Sequence, residues 1–388
     1  MRTLIPIVLS IVCTGCAEAD LDQLFTSIDL SISVGPQDCT DALIEVADSA
    51  ETTLNVALPG CQDTSISDAL IDAYDRGVLV EVVTDFDRQD DAGVVAMIGA
   101  GVPVTLADDG IGYFEFSLTE DVEWASKDTI LSSSFAVADD VDFTVSSDLG
   151  LTHGGSRIVA RGHGQDFALD LTMEHNQLFG GSDATASTAY SNPAKSIVDD
   201  RWIYPLAGEG ETSELWFGPQ QRVTKRIIDA VYAAKGSIWV LTDDFANEGL
   251  AKALQHKAKY GFDTQVIVGS TLGSNSSALT RTLLRDTPDV PKAQTSGPHN
   301  PTIVLVDVGQ ARDGRYYPAK AFVLSHDLYS ATRLFRSSPV ITDQLIDSTL
   351  LVVEDNNHDG LTELDSLSPN IRAIIELYES HVDMAESL

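Results

Sequence analysis

The sequence predicts an α/β protein made of two tandem α/β/α halves built around mixed sheets. Helix and strand patterns alternate in the same order twice along the chain, which points to parallel or mixed sheets rather than to all-helical or all-strand packing. A matched pair of segments, Ser67 to Gly77 and Ala251 to Gly261, lies at a constant offset of 184 residues. Each carries Ala-Leu, ends in glycine and is followed by an apolar strand pattern; glycine is a natural helix stop because it enters the left-handed conformation cheaply. With 388 residues, 43% hydrophobic and 21% charged, the chain has room for two or three domains, and wholesale disorder, collagen and coiled coil are excluded.

In the first half, helix signals lie at 39–51, 65–76, 89–99 and 165–179, where apolar residues recur at helical spacing. Strand signals lie at 53–58, 78–84, 102–107, 111–117, 128–137 and 156–161. In the second half the helices fall near 221–235, 248–260, 276–285 and 368–384, and the strands near 237–243, 263–268, 302–308, 319–325 and 349–353. The implied organisation is a signal peptide at 1–15, a tether at 16–36, a first domain at 37–180, a linker at 181–219 and a second domain at 220–388. The linker is placed by its Ser, Ala, Gly, Pro and Thr content.

The N-terminus reads as an address. Met1-Arg2 gives a positive start, and the apolar run from Leu4 to Val12 is shorter than the ~20 residues of a spanning helix. It ends in Thr14-Gly15-Cys16, which resembles a bacterial lipobox, although Cys13 stands where leucine is usual. The reading is a lipoprotein diacylated at Cys16, with plain secretion as the alternative. Export leaves Cys39 and Cys61 as an even pair in an oxidising compartment, so a Cys39–Cys61 disulfide is expected, with two free buried thiols as the alternative. The formal charge of −35 disfavours phosphate backbones as partners, and no nucleic-acid binding is expected.

The stretch DALIDAYDRGVLVEVVTD, followed by MIGAGVPVTLADDG, resembles the phospholipase D superfamily, in particular its bacterial two-domain lipoproteins. The resemblance spans nearly all of 37–384, and LDLTMEHNQLFGG matches the end of the family's first domain. It implies a pseudo-dimer within one chain, whose halves meet at a shared site. It also implies a phosphodiesterase chemistry carried by HxK(x)4D in each half: one histidine attacks phosphorus, the other protonates the leaving group, and the lysines hold phosphate oxygens.

Here that motif is degenerate. None of the eight histidines has lysine two positions later. Laid on the strand signals, the pattern gives Ala125-Ser126-Lys127 with Ser132, and Pro318-Ala319-Lys320 with Ser325. The 32-residue spacings from Lys127 to Val159 and from Lys320 to Val352 support this register. Ala125 and Pro318 cannot transfer protons or attack phosphorus. Lys127 and Lys320 read either as remnants of an anion site or as solvated strand residues.

Asp355-Asn356-Asn357-His358-Asp359-Gly360 and the following Glu363 resemble the start of a calcium loop, with Asp355, Asn357, Asp359, Glu363 and Asp365 as candidate ligands. Ser366 replaces the closing glutamate, and an ordinary acidic loop is the alternative. The functional expectation is a membrane-anchored cell-envelope lipoprotein, catalytically inactive, that binds a phosphate-containing or protein ligand and requires no cofactor, with calcium as a candidate ion. An active phosphodiesterase using non-standard residues is the alternative.

Overall fold

The computed structural model describes residues 27–107, 130–147, 157–179, 203–207, 210–218, 221, 223–243, 245, 247–268, 292–294, 301–326, 328, 346–358 and 367–386. The first half contributes β1 (Asp29–Val34), α1 (Pro36–Ser49), β2 (Thr53–Leu58), α2 (Thr64–Asp75), β3 (Leu79–Asp85), α3 (Ala92–Ala100), β4 (Val104–Ala107), β5 (Ile130–Leu131), β6 (Phe135–Ala138), β7 (Asp142–Ser146), β8 (Ile158–His163) and α4 (Gln165–Phe179). The second contributes β9 (Tyr204–Pro205), β10 (Glu211–Phe217), α5 (Val223–Ala233), β11 (Ser237–Thr242), α6 (Glu248–Lys259), β12 (Asp263–Val268), β13 (Lys292–Gln294), β14 (Thr302–Val306), β15 (Ala319–Leu324), β16 (Ile346–Asp347), β17 (Thr349–Asp355) and α7 (Pro369–Glu386).

These strands form a seven-stranded sheet ordered β1-β8-β7-β6-β2-β3-β4 and an eight-stranded sheet ordered β13-β12-β11-β14-β15-β17-β10-β9. Both sheets are mixed. The strands joined by helices pair in parallel, β2 with β3 and β11 with β12, and the later hairpins pair antiparallel. Helices α1 to α3 cover the outer face of the first sheet over a core that includes Leu43, Leu54, Leu70 and Val82. Helices α5 and α6 do the same in the second half over Ile227, Val240 and Leu254. A third cluster joins the inner faces, with Phe135, Phe143 and Phe167 from the first half and Phe217, Ile303 and Ile371 from the second.

Equivalent backbone hydrogen bonds make the duplication explicit. Gly35 N–H donates to Arg157 O at 2.9 Å, and Gly218 N–H to Ser348 O at 2.8 Å. Asp139 N–H donates to Thr53 O, and Asp307 N–H to Ser237 O. The Ser147 hydroxyl accepts Ile158 N–H at 3.2 Å, while Ser325 accepts Thr349 N–H at 2.9 Å. Gly77 and Gly261 close α2 and α6 with φ of 93° and 73°, as their sequence positions predict.

Some segments depart from the sequence reading. Residues 29–34, read as tether, form β1, and residues 204–205 and 211–217, read as linker, form β9 and β10. Asp-Leu-Ser-Ile-Ser-Val has the two-residue alternation of a half-buried strand. β7 also lies where no strand was expected. The expected strand at 111–117 and helix at 276–285 lie outside the described residues.

Asp139 and Asp307 each end a strand in the left-handed conformation, with φ of 52° and 61°. Asp139 accepts the N–H groups of Glu51, Thr52 and Thr53, each at 2.8 Å. Asp307 accepts those of Lys235 and Gly236. Burial alone would raise the Asp139 pKa; the Thr52 hydroxyl and the three N–H groups outweigh it and hold the carboxyl at about 2. At Asp307 burial wins over the N–H groups of Gly236 and Lys235 and the charges of Lys257 and Lys235, so its pKa is raised.

Replacing Asp139 with alanine strands these N–H groups at the entrance to β2, with a cost of about 1–3 kcal/mol in urea unfolding. Because the folded pKa is depressed, Asp139 stabilises the fold above the ordinary aspartate pKa of ~3.9. That contribution falls away as pH drops towards about 2, so the wild-type advantage over Asp139→Ala shrinks across this window.

Candidate functional site

The halves meet where β6 and β14 begin and β15 ends. β5 of the first half pairs in parallel with β16 of the second, Ile130 opposite Ile346 and Leu131 opposite Asp347. Asp85, at the end of β3, fixes this bridge by accepting Leu131 N–H at 2.9 Å. The next residue, Ser132, donates its hydroxyl across the junction to Ser325 O at 2.6 Å. Ser132, Ser325 and the adjacent His326 are all buried.

This geometry corrects the motif register. Ser325 accepts from the first residue of β17 as Ser147 accepts from the first residue of β8, so Ser325 is the counterpart of Ser147 and not of Ser132. Lys320 lies on β15, the counterpart of β7. Its Nζ pairs with Glu354 at 2.7 Å, at the position where Asp142 meets His163 at 2.8 Å in the first half. Lys320 therefore belongs to a half-buried cross-strand pair. Pro318 lies half-buried just before β15, while Ala125 and Lys127 lie outside the described residues. Val159 and Val352, which end the two 32-residue spacings, lie on the counterpart strands β8 and β17 but at different register positions, second and fourth in their strands.

Asp139 and Asp307 are the aspartates that do occupy equivalent places, each closing the strand that pairs antiparallel with the first parallel strand of its half. Counting the HxK(x)4D spacing back from them puts the histidine slots at Ser132 and Asn300 and the lysine slots at Ser134 and Thr302. Ser134 is fully buried. The Thr302 hydroxyl lies 3.1 Å from that of Thr242, again buried. Asn300 lies outside the described residues. The sequence signal that could have found this register is the apolar strand ending in aspartate, Phe-Ala-Val-Ala-Asp and Ile-Val-Leu-Val-Asp.

Chemically, the three described slots present hydroxyls, one of which is already committed to a backbone carbonyl. A serine hydroxyl near its ordinary pKa is a poor nucleophile without an adjacent base. Neutral hydroxyls can hydrogen-bond a ligand; they cannot supply the charge that stabilises a transferring phosphoryl group.

The other expected sites fare as follows. Cys39 and Cys61 are buried and not joined to each other, which corrects the expected disulfide. Cys39 accepts from the Ser146 hydroxyl at 3.4 Å, and Cys61 packs against Gly93 at the start of α3. Burial, with the charges of Asp63 and Asp91, pushes the Cys61 thiol up to about 12. Asp355 gives one carboxylate oxygen to Asn357 N–H at 3.0 Å and the other to Ser368 N–H at 2.8 Å, latching β17 to the start of α7. Asp359, Glu363, Asp365 and Cys16 lie outside the described residues. Among the described residues no group of His, Cys, Asp and Glu is arranged to hold a metal ion, and no helix is long and apolar enough to cross a membrane.

No protein-family model and no curated protein matches the sequence. Solved structures do match the fold. Polyphosphate kinase from Porphyromonas gingivalis aligns over 91% of this chain and 47% of its own, with TM-score 0.57 and 12% identity. The chain thus spans about half the length of that kinase. Phosphatidylserine synthase from Haemophilus influenzae aligns over 95% of this chain and 90% of its own, with TM-score 0.56 and 10% identity. Nuc from Salmonella typhimurium, a phospholipase D family member, aligns over 39% of this chain and 93% of its own, with TM-score 0.30 and 17% identity. The chain shares with the kinase and the synthase a fold of two α/β units in one chain.

Removing the Ser132 hydroxyl leaves the buried Ser325 carbonyl without that donor. Ser132→Ala lowers unfolding free energy by about 1–3 kcal/mol in urea titration.

Proposed function

We propose that this protein is a catalytically silent, phospholipase D-like binding protein of the bacterial cell envelope, held at a membrane by lipid on Cys16. The observation that carries the silent reading is the identity of the motif slots: Ser132, Ser134, Asn300 and Thr302 replace two histidines and two lysines. Fold supplies a frame for chemistry, and the site has to supply the reacting groups. Hydroxyls at the junction suit recognition of a phosphate-containing or protein ligand by hydrogen bonds, and the proposal requires no cofactor.

Two measurements test it. Purified protein incubated with bis-p-nitrophenyl phosphate and with phospholipid vesicles releases no product above buffer. Turnover that survives purification and disappears in Ser132→Ala or His326→Ala overturns the silent reading in favour of a phosphodiesterase with non-standard residues. For the anchor, native protein fractionates with membranes and Cys16→Ser moves to the soluble fraction. An unmodified Cys16 by mass spectrometry overturns that part alone.

A further inference from the structure

The outer helices of the two halves are equivalent in fold and opposite in charge. Residues 36–76, which span α1 and α2, contain nine acidic residues and one basic residue; residues 223–261, which span α5 and α6, contain six basic and four acidic. The single basic residue of the first set, Arg76, commits its guanidinium to the backbone, donating to Ala47 O at 2.7 Å. The inversion is position by position. Along α2 the exposed stripe is Asp68, Asp72 and Asp75, and at the same 184-residue offset the exposed stripe of α6 is Lys252, His256 and Lys259.

Each stripe lies beside exposed apolar surface. Next to α2, the outer side of α3 shows Val95 and Ile98 at 55% and 50% exposure, with no charged side chain between Asp91 and Asp108. Beside the α6 stripe stand Tyr232 and Tyr260, at 49% and 61%. His256 packs between them, with ring centroids 5.8 Å from Tyr232 and 4.8 Å from Tyr260. Among the described residues, Asp68, Asp72, Asp75 and Lys259 make no ion pair, and Lys252 makes one at 3.7 Å with Glu248 on its own helix.

We propose that the α6 face is a docking site for the α2 face of a second copy of this chain, giving head-to-tail association. Charge complementarity selects this occupant. The stripes share one spacing of four and three residues, so Asp68 and Asp75 can each oppose a lysine, Lys252 and Lys259, along two helices, with Asp72 opposite the His256 ring. The exposed tyrosines face Val95 and Ile98 as the apolar part of the contact. Because α2 and α6 cover the outer faces of different sheets, the contact is heterologous: each copy offers one acidic and one basic face. The overall charge of −35 opposes association elsewhere on the surface, which leaves the basic face as the place where a copy can approach.

Charge reversal on each side tests this without touching the buried site. One variant carries Lys252→Glu and Lys259→Glu, so both its faces are acidic; the other carries Asp68→Lys and Asp75→Lys, so both are basic. Sedimentation equilibrium of the wild type in ~20 mM salt shows self-association that weakens at least ~tenfold in ~500 mM salt. Each variant alone sediments as a monomer with an unchanged circular dichroism spectrum, and an equimolar mixture of the two associates again. A wild type that remains monomeric at ~100 μM in low salt overturns the proposal, as does a mixture that fails to associate. Binding of the wild type to phosphatidylglycerol vesicles through the α6 stripe without self-association also overturns it, in favour of a lipid surface as the occupant.

Discussion

Neither sheet can bury its inner face alone, and that constraint organises the molecule. On the first sheet the inner face carries Leu30, Phe135, Val137 and Phe143, and on the second Leu215, Phe217, Ile303 and Leu351. Each such side chain left in water forfeits ~1.5–3 kcal/mol. The two faces and the helices between them, α4 with Phe167 and Leu171 and α7 with Ile371 and Ile374, close over one another into one core. The polar junction follows from that packing. β5 can pair with β16, and Ser132 can reach Ser325, because the apolar layer fixes the halves against each other.

The side chains that satisfy the backbone occupy equivalent places in the two halves. Asp139 and Asp307 tie the starts of β2 and β11, and Ser147 and Ser325 hold β8 and β17. Losing any of these strands N–H groups at a strand entrance, which costs stability in every fold built this way. Nothing in the packing demands an imidazole or an ammonium at Ser132, Ser134 or Thr302. A hydroxyl is smaller, neutral and easier to bury, so these slots can drift while the sheets stay intact.

Much of the architecture was legible in the sequence, because helix periodicity and the terminal glycines Gly77 and Gly261 are local signals. Helix α4 was read to its ends, and β2, β11 and β12 to within a residue. β1 and β10 are harder to read because each sits next to a segment rich in turn residues: β1 alternates over only six residues, and β10 opens on Glu-Thr-Ser-Glu, a polar run with no strand period. The motif register failed for a different reason. The first parallel strands repeat at 184 residues, but the loops between later strands differ in length, so Asp139 and Asp307 lie 168 apart, and Ser147 and Ser325 lie 178 apart. A constant spacing cannot find equivalent positions across such changes. The hydrogen-bond pattern can, since it reports which strand a residue belongs to. The disulfide expectation rested on compartment and an even count, neither of which contains the orientation of Cys39 and Cys61.

The free edge of β1 is held from the far end of the chain. The Asn370 side chain, one residue into α7, accepts Ile32 N–H at 3.0 Å and donates to Leu30 O at 3.2 Å, as a neighbouring strand would. These partners are 338 and 340 residues apart. During synthesis at ~5–20 residues per second, the edge of β1 therefore waits roughly twenty seconds to a minute for its partner to be made. Throughout that interval an unpaired strand edge is on offer to any other extended chain. Of the two halves, the one translated earlier is thus the last to be sealed.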